Sequence, residues 1–328
     1  MSAQVLPIAH SILDSPSLRD RIVDAYDLPQ PVQCELLTRG MNDVYLIRTG
    51  GAQYASRVWR SGFRSEADVD YETQFLKFLD EAGVPVPAPI PTRDGALYIP
   101  LDAPEGRRHL SLFQWAAGAP FADNPNPVMA KRLGAMFGRL HLTAKDFAPK
   151  KTRKVDCGGC QLRLGLPDLQ RMVAHRDGDG TWYAKAVDAI AGALEALPEA
   201  VAPQGPSHGD FHIYNAFIDN DDIVLLDFDN CGVDHWAAEL NSFIWANHYV
   251  GNIDEAINEA FVAGYESERP LTEGERELMP LFYAAKELSF LIGFAANVNA
   301  VGHTPLLNPD LDWFGDRTRR HIGALGIL

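Results

Sequence analysis

The stretch that decides the fold of this 328-residue chain is Ser207-His208-Gly209-Asp210-Phe211-His212-Ile213-Tyr214-Asn215, followed by Ile223-Val224-Leu225-Leu226-Asp227-Phe228-Asp229. A polar turn at 219–222 separates two short apolar runs, which predicts a hairpin with strands at 216–218 and 223–228. In a hairpin, the residue before the first strand and the last residues of the second strand lie at the same end. We therefore expect Asn215 and Asp227 to lie close together, with Asp210 in the loop just before them.

These three side chains carry the oxygen atoms that phosphoryl transfer requires. Carboxylate and amide oxygens suit Mg²⁺, which keeps several waters and bridges the phosphates of a substrate. The spacing of Asp210 and Asn215 is that of the Asp-x-x-x-x-Asn loop of phosphoryl-transfer enzymes, in which a metal-binding Asp follows. In such a loop the Asp accepts the proton of the attacking hydroxyl, and metal ions neutralise the charge on the transferred group. The alternative interpretation is that these acidic residues only cap turns.

The first third of the chain predicts three strands and one helix. Alternating or continuous apolar runs indicate strands at 34–38, 44–49 and 53–60, and Gly50-Gly51 is typical of a two-residue hairpin turn. The helix is expected over 65–82, because a Ser precedes its apolar stripe, an Asp follows three residues later and a Gly stands at its end.

The position of Glu72 on this predicted helix indicates an internal ion pair. At about 100° per residue, Glu72 lies at the centre of the apolar stripe. A carboxylate that faces a core is costly unless it is paired. Arg57 on the preceding predicted strand is the nearest cation, so we expect Glu72 and Arg57 to pair. The alternative is a partly exposed Glu on a broad helix face.

The remainder of the chain predicts a change of architecture. Gly and Pro residues punctuate 116–127, and beyond that region the pattern is mostly helical, with helices predicted to begin at Pro127 and to cover 182–197 and 275–297. Strands followed by helices are typical of a segregated α+β fold and differ from an alternating βαβ pattern.

A known family shares these motifs. His-Gly-Asp-x-His-x-x-Asn at 208–215, followed by an apolar strand and Asp-Phe-Asp at 227–229, resembles the superfamily of aminoglycoside phosphotransferases, homoserine kinases and choline kinases. The resemblance covers about 33 to at least 250, and its most specific part is 207–232. It implies a protein-kinase-like bilobal fold: a small antiparallel-sheet lobe with one helix, and a larger, mainly helical lobe.

The resemblance also implies different functions for the two parts of the chain. Residues 1–115 would be the nucleotide-binding lobe, a hinge would lie at about 112–118, and 119–328 would carry the catalytic loop and the substrate site. ATP and Mg²⁺ are the implied cofactors. Asp210 would be the catalytic base, Asn215 and Asp227 the Mg²⁺ ligands, and Asp229 an auxiliary.

Five residues of the first lobe and the hinge would bind the nucleotide by the same resemblance. The turn around Gly40 would cover the phosphates. Arg57 would occupy the place of the phosphate-binding Lys, with Glu72 as its helix partner. Backbone groups of Gln114 and Ala116 would contact adenine.

Three features depart from the family pattern. Arg57 replaces the usual Lys, although a guanidinium can bind phosphate through two hydrogen bonds. The phosphate-covering turn has a single Gly. Glu239 stands where the family usually has an Asp that braces the catalytic loop.

The amino-acid composition limits which binding partners and which cellular compartment we expect for this protein. With 29 Lys and Arg against 44 Asp and Glu, the formal net charge is −15, which argues against nucleic-acid and anionic-membrane surfaces and favours a cationic small substrate. We find no run of 18 apolar residues and no signal-like N-terminus, so we expect a cytoplasmic protein.

Cys157 and Cys160 form a single C-x-x-C, for which we expect a loop with incidental thiols. We expect His208 and His212 to shape the catalytic loop.

These observations predict a kinase that transfers the γ-phosphate of ATP to a hydroxyl of a small molecule. The acceptor classes are aminoglycosides, amino alcohols and hydroxy amino acids such as homoserine. Two alternatives stay open: a Ser/Thr protein kinase of the stress-response type, and a non-catalytic nucleotide-binding pseudokinase. On the 275–297 helix we expect core packing, with Tyr283 or Glu287 lining the substrate cleft as the alternative.

Overall fold

The computed structural model describes residues 6–155, 159–250, 254–303 and 309–328, without the side chains of Cys160 and Val250. It divides into two compact units. The first comprises Met1–Ala117 with Pro149–Lys151 and is called the sheet unit here. The second comprises Gly118–Ala148 with Thr152–Leu328 and is called the helical unit.

The sheet unit is built on one antiparallel sheet. Its strands are β1 (Gln33–Arg39), β2 (Asp43–Arg48), β3 (Gln53–Trp59), β4 (Pro89–Ile90), β5 (Ile99–Ala103) and β6 (Gly106–Gln114). The strand order is β1-β2-β3-β6-β4, and β5 pairs with β6. The three predicted strands are confirmed, and the Gly50-Gly51 turn is closed by a hydrogen bond from the Thr49 N–H to the Ala52 carbonyl.

The predicted helix of the sheet unit is confirmed as α2 (Glu66–Glu81). Ser65 caps it, and Asp68 completes a capping box in which the two residues satisfy each other's backbone N–H groups. One face of α2 is buried, and Glu72 is among its buried residues with no exposed surface. The predicted inward position of the Glu72 carboxylate is therefore confirmed.

The expectation of a single helix in this unit was wrong, because α1 (Ser15–Ala25) precedes the sheet. Its Leu18 and Ile22 pack with Tyr26 against apolar side chains of the sheet. The local signal was present: Asp14 caps the helix through the Ser17 N–H, and a Pro lies in its first turn. Its sequence is largely polar, so the apolar periodicity was too sparse to indicate a helix.

The helical unit contains helices of about four to eight turns. They are α3 (Pro127–Ala144), α4 (Gly159–Met172), α5 (Asp179–Glu195), α6 (Trp236–Val250), α7 (Glu255–Glu268), α8 (Glu273–Val301) and α9 (Leu311–Ala324). The predicted helices at 127, 182–197 and 275–297 correspond to α3, α5 and α8. In the described part of the chain, α8 alone is long and apolar enough to cross a membrane, and 56% of its most apolar window is buried in the core of this unit. Because Cys160 lies within α4, the expectation of a loop was wrong there, whereas Cys157 lies outside the described residues.

Short strands of the helical unit form the frame for the predicted catalytic loop. They are β7 (Ala119–Pro120), β8 (Gln204–Ser207), β9 (Ala216–Asp219), β10 (Asp222–Leu225) and β11 (Gly232–His235). The hairpin of β9 and β10 is confirmed, and β8 pairs with β11.

The second strand of the hairpin ends earlier than predicted. Instead of continuing to 228, the chain leaves the extended conformation at Asp227, whose φ of 60° and ψ of 65° are left-handed, and enters a short 3₁₀ turn at Phe228–Asn230. The apolar run 223–228 does not reveal this change, because a run of apolar residues reports burial and not backbone dihedral angles.

Candidate active site

The loop that carries Asp210 is held by a buried carboxylate. Glu239 on α6, which is 1% exposed, accepts hydrogen bonds from the backbone N–H groups of His208, at 3.0 Å, and Gly209. The Nε2 atom of His141 lies 2.7 Å from the same carboxylate. Burial by itself raises the pKa of Glu239, but the hydrogen bonds and the neighbouring histidines outweigh it, so the pKa lies below its ordinary value. The longer Glu therefore braces the loop through two adjacent N–H groups.

Gly209 is required for the shape of this loop. Its φ is +86°, and a Cβ at this position would meet the Asn230 carbonyl oxygen at 2.0 Å. The loop and the 3₁₀ turn at Phe228–Asn230 thus approach each other more closely than any side chain permits. This approach places Asp210 directly beside the residues that follow Asp227.

The histidines of the motif contribute to loop structure, as expected. His208 Nε2 lies 2.7 Å from the Leu226 carbonyl oxygen, which ties the loop to the end of the hairpin. His212 accepts the Tyr214 N–H at Nδ1, at 3.3 Å, and its Nε2 lies 3.2 Å from Asn215 Nδ2. The pKa of His212 lies below its usual value, mainly because the imidazole ring is buried.

The predicted proximity of Asn215 and Asp227 is confirmed by the backbone. The Leu226 N–H donates to the Asn215 carbonyl at 2.8 Å, which places Asp227 one residue beyond the partner of Asn215. The Asn215 side chain donates through Nδ2 to the Asp210 carbonyl at 2.9 Å. Its amide oxygen is therefore the atom that remains to bind a cation, and it lies at the same hairpin end as the Asp227 carboxylate.

This donor set fits Mg²⁺. The amide oxygen of Asn215 and the carboxylate of Asp227 are hard ligands, and Mg²⁺ is ordinarily held by one or two protein ligands together with water and substrate phosphates. Within the described residues, no cluster of three or more His, Cys, Asp or Glu side chains forms an all-protein metal cage. The side chain of Asp229 is buried, and its carbonyl accepts a hydrogen bond from Arg153 at 2.5 Å.

Asp210 presents a partly open carboxylate. Its side chain retains 35% of its surface exposed, so a small hydroxyl can reach it. One oxygen, Oδ1, accepts a hydrogen bond from Lys286 Nζ at 2.6 Å, and Oδ2 lies 3.4 Å from Asn230 Nδ2. Burial by itself raises the pKa of Asp210, but the Lys286 ammonium opposes it and holds the pKa well below its usual range.

Sequence reasoning missed Lys286. It lies on α8, 76 residues after Asp210, and only the tertiary structure brings the two together. The helix was predicted, but a single Lys beside its apolar face is typical of solvent exposure. In contrast, Glu287 is fully buried and paired with Arg317 Nε at 2.6 Å, which agrees with the core-packing interpretation of that residue.

The sheet unit contains the predicted pair of Arg57 and Glu72. Arg57 Nη1 donates to Glu72 Oε1 at 2.6 Å, and the Trp59 indole N–H donates to the other oxygen at 3.2 Å. Glu72 has no exposed surface, whereas the Arg57 side chain is 16% exposed. The carboxylate is therefore satisfied by its neighbours, and the guanidinium keeps part of its surface available to a ligand.

The other predicted nucleotide-binding residues lie at the ends of strands. The Gly40 N–H donates to the Asn42 carbonyl at 3.1 Å, which closes the turn between β1 and β2. Gln114 ends β6, and its N–H donates to the Ala88 carbonyl at 3.0 Å. Of the Gln114 backbone groups, the carbonyl is thus the one suited to an adenine amino group. Ala116 lies just beyond the strand.

The braced Asp loop, the hairpin end and the buried cation–Glu pair on an antiparallel sheet together define a class, the small-molecule kinases. Residues 35–281 match the model of the Phosphotransferase enzyme family, and the chain belongs to this family. It is 31% identical over 315 residues to an uncharacterized protein of Deinococcus radiodurans, covering 94% of this chain and 90% of the relative. It is 26% identical to a homoserine kinase of Rhodopseudomonas palustris, covering 81% of this chain and 80% of that enzyme.

A solved structure shares the fold. An amicoumacin kinase in complex with AMP-PNP and Ca²⁺ superimposes with a TM-score of 0.76 at 20% identity, covering 95% of this chain and 94% of that one. The resemblance stated above and the kinase-like α+β fold class are confirmed, apart from the additional helix α1. The protein is a phosphotransferase of the kind that acts on hydroxyl groups of small molecules.

Proposed function

We propose that this protein is an ATP- and Mg²⁺-dependent O-phosphotransferase that transfers the γ-phosphate directly to a hydroxyl of a small molecule. The observation that carries the proposal is the Asp210 carboxylate, which is partly exposed and ionised, on a loop braced by Glu239 and next to Asn215 and Asp227. In-line transfer needs no covalent enzyme intermediate, and catalysis comes mainly from positioning and electrostatics.

Asp210 is the proposed catalytic base. Its carboxylate orients the attacking hydroxyl by accepting a hydrogen bond, and it takes the proton as the new O–P bond forms. A low pKa keeps the group ionised and ready to accept, although it makes a weak base. In a dissociative transition state the bond to the attacking oxygen is barely formed, so the hydroxyl proton becomes acidic only late in the reaction. The orientation of the hydroxyl therefore contributes more to the rate than the basicity of Asp210 does.

Asn215 and Asp227 are the proposed Mg²⁺ ligands, with Asp229 as an auxiliary. When bound, the metal would neutralise charge on the phosphates. The hydrogen bond from Asn215 Nδ2 to the Asp210 carbonyl directs the amide oxygen away from the loop and fixes the ligand relative to the base.

The sheet unit would hold the nucleotide, in keeping with the proposed lobes 1–115 and 119–328. Arg57 would clamp phosphate oxygens, and Glu72 would fix the orientation of its guanidinium. The turn around Gly40 would cover the phosphates, and the Gln114 carbonyl with the Ala116 N–H would bind adenine.

The acceptor classes we propose are amino alcohols, hydroxy amino acids and aminoglycosides. Relatives named homoserine kinase and a structural neighbour named amicoumacin kinase support a small acceptor with a hydroxyl. Dependence on ATP supports a location in the cytoplasm.

Two observations argue against the alternatives. Strand β11 begins at Gly232 and α6 at Trp236, so little chain follows Asp229 to form the activation segment of a protein kinase. The two residues that depart from the family pattern, Arg57 and Glu239, both make the expected contacts, which argues against a pseudokinase.

The test is ADP release from MgATP with a panel of amino alcohols, amino acids and aminoglycosides, with Asp210→Asn measured in parallel. We expect turnover with a subset of acceptors and its loss in the variant. Failure to bind MgATP, or turnover that persists in Asp210→Asn, would overturn the proposal.

A further inference from the structure

The ammonium of Lys286 lies beside the Asp210 carboxylate, the group proposed to receive the acceptor hydroxyl. It lies 2.6 Å from Asp210 Oδ1, and its side chain is 14% exposed, which is enough for a ligand to touch it. A hydroxyl that hydrogen-bonds to the same carboxylate must place its oxygen within about 3 Å of a carboxylate oxygen. Substituents one to three bonds from that hydroxyl therefore lie within reach of Lys286.

A second cation, Arg317, contacts the same indole ring as Lys286. The Trp245 ring is flanked by two cations: Lys286 Nζ lies 5.9 Å and the Arg317 guanidinium 5.9 Å from the ring centre. The nearby carboxylate of Glu287 is already bound by Arg317 at 2.6 Å and contacts His321 at 3.0 Å. Arg317 is thus engaged by Glu287, whereas Lys286 is the cation in contact with the proposed base.

We propose that the acceptor carries a carboxylate close to its phosphorylated hydroxyl and that Lys286 binds this carboxylate. Lys286 would thus be a specificity-determining residue that favours hydroxy acids and hydroxy amino acids over purely cationic amino alcohols and aminoglycosides. This inference rests on the proposed function, because it takes Asp210 as the group that receives the hydroxyl.

Charge complementarity is the physical reason. An acceptor carboxylate gains a charge-assisted hydrogen bond from Lys286, which can bridge it to Asp210. An ammonium in the same place would face a like charge and would have to displace Lys286 from Asp210. The whole-chain charge, which favours cations at long range, is screened beyond about 10 Å, whereas this contact is local.

The test compares acceptors that differ only by a carboxylate. L-Homoserine and 3-amino-1-propanol form one pair, and L-serine and ethanolamine form another. For each pair, kcat and KM are measured with saturating MgATP, and acceptor binding to the MgADP-bound protein is measured by calorimetry. We expect the carboxylate member of a recognised pair to be favoured by about 10- to 100-fold in kcat/KM and in affinity.

Three substitutions at Lys286 and one control separate specificity from folding. We expect Lys286→Met to bring the ratio within a pair close to one, mainly through the KM of the carboxylate acceptor, and Lys286→Glu to invert it in favour of the amino alcohol. Lys286→Arg retains the charge and should retain the preference. Lys145 is the matched control, because its ammonium also lies over an indole ring, that of Trp236 at 5.2 Å, and Lys145→Met should leave the ratio unchanged.

The outcomes distinguish this inference from the proposed function. If amino alcohols or aminoglycosides are phosphorylated and the carboxylate member of a pair has no higher kcat/KM, the proposed role of Lys286 is overturned and the kinase proposal is left intact. Retention of the carboxylate preference in Lys286→Met would also overturn it. If MgATP is bound but none of these acceptors is phosphorylated, calorimetry decides the inference: carboxylate-dependent binding that Lys286→Met abolishes supports it, and its absence overturns it.

Discussion

The two units each contain a carboxylate paired with a cation at 2.6 Å, and the two pairs differ in which partner is open to a ligand. In the sheet unit the carboxylate of Glu72 is sealed and Arg57 is 16% exposed. In the helical unit the carboxylate of Asp210 is 35% exposed and Lys286 is 14% exposed. The same kind of ion pair therefore exposes a cation in one unit and the proposed base in the other.

Hydrogen bonding reinforces this difference. Both oxygens of Glu72 are engaged, one by Arg57 and the other by the Trp59 indole at 3.2 Å. Asp210 has one short contact, to Lys286, and a long one of 3.4 Å to Asn230. A fully satisfied buried carboxylate is a fixed anchor, whereas one with acceptor capacity left can receive a substrate hydroxyl. Exposure, and not pairing itself, thus distinguishes the carboxylate proposed to position Arg57 from the carboxylate proposed as the base.

The largest effect is expected from Asp210→Asn, which removes the negative charge from the Asp210–Lys286 pair with little change in side-chain shape. Because the amide cannot accept a proton from the hydroxyl, kcat should fall by about 10²- to 10⁴-fold. Steady-state kinetics measures this, and circular dichroism with thermal unfolding checks that the fold persists. A kcat within a few-fold of the wild type would show that the open carboxylate is not the base.

The ion pair between Glu72 and Arg57 is broken by Glu72→Ala. Arg57 and the Trp59 N–H then lose their partner inside the sheet unit, and removing one member of a buried pair costs about 3–5 kcal/mol of stability. We expect a matching fall in the free energy of unfolding and a KM for MgATP raised by about tenfold. Glu81→Ala is the control, since this exposed Glu on α2 contacts only Lys77 at 3.7 Å among the described ion pairs. Unchanged KM values in both variants would contradict the positioning role.

Bracing of the catalytic loop is tested by Glu239→Gln. The His208 and Gly209 N–H groups donate to different oxygens of Glu239, and the variant replaces one oxygen by an NH₂ donor. We therefore expect a loss of about 1–3 kcal/mol in stability and a several-fold fall in kcat. Urea unfolding at pH 7 and steady-state kinetics measure the two effects. Equal stability of variant and wild type would show that the loop does not depend on this carboxylate.

The same residue predicts a dependence on pH. Because folding lowers the pKa of Glu239 below its usual 4.5, its stabilisation is complete above about pH 4.5 and is lost as the pH falls further. As the pH falls from 6 to below 4.5, wild type and Glu239→Gln should therefore converge in stability, mostly below pH 4.5. A stability difference that stays constant from pH 6 to below pH 4.5 would show that folding does not lower the pKa of Glu239.

The smallest effect is expected from Arg57→Lys. An ammonium can still pair with Glu72 and bind phosphate as a point charge, although it loses the two-pronged geometry of the guanidinium. We expect the KM for MgATP to change by less than about fivefold, as read by initial-rate kinetics. A loss as large as that of Glu72→Ala would show that the guanidinium geometry itself is required.

The sequence by itself determined the features that depend on local periodicity. The inward position of Glu72 followed from the 3.6-residue repeat of α2, and its partner was on the neighbouring strand. The proximity of Asn215 and Asp227 followed from a hairpin whose two strands are joined by a short turn. In each case at most 15 residues separate the partners, which lie on or next to consecutive elements, so a short connection keeps them close. The roles of these residues in catalysis stay a prediction.

Only the tertiary structure decided which residues face Asp210 and hold its loop. Lys286 is 76 residues away in sequence, and Glu239 reaches the loop from α6, which is about 30 residues further along the chain. The left-handed conformation of Asp227 also has no signature in an apolar run. The packing of helices around the loop sets these contacts, because periodicity specifies which face of a helix is buried but not which distant segment it meets.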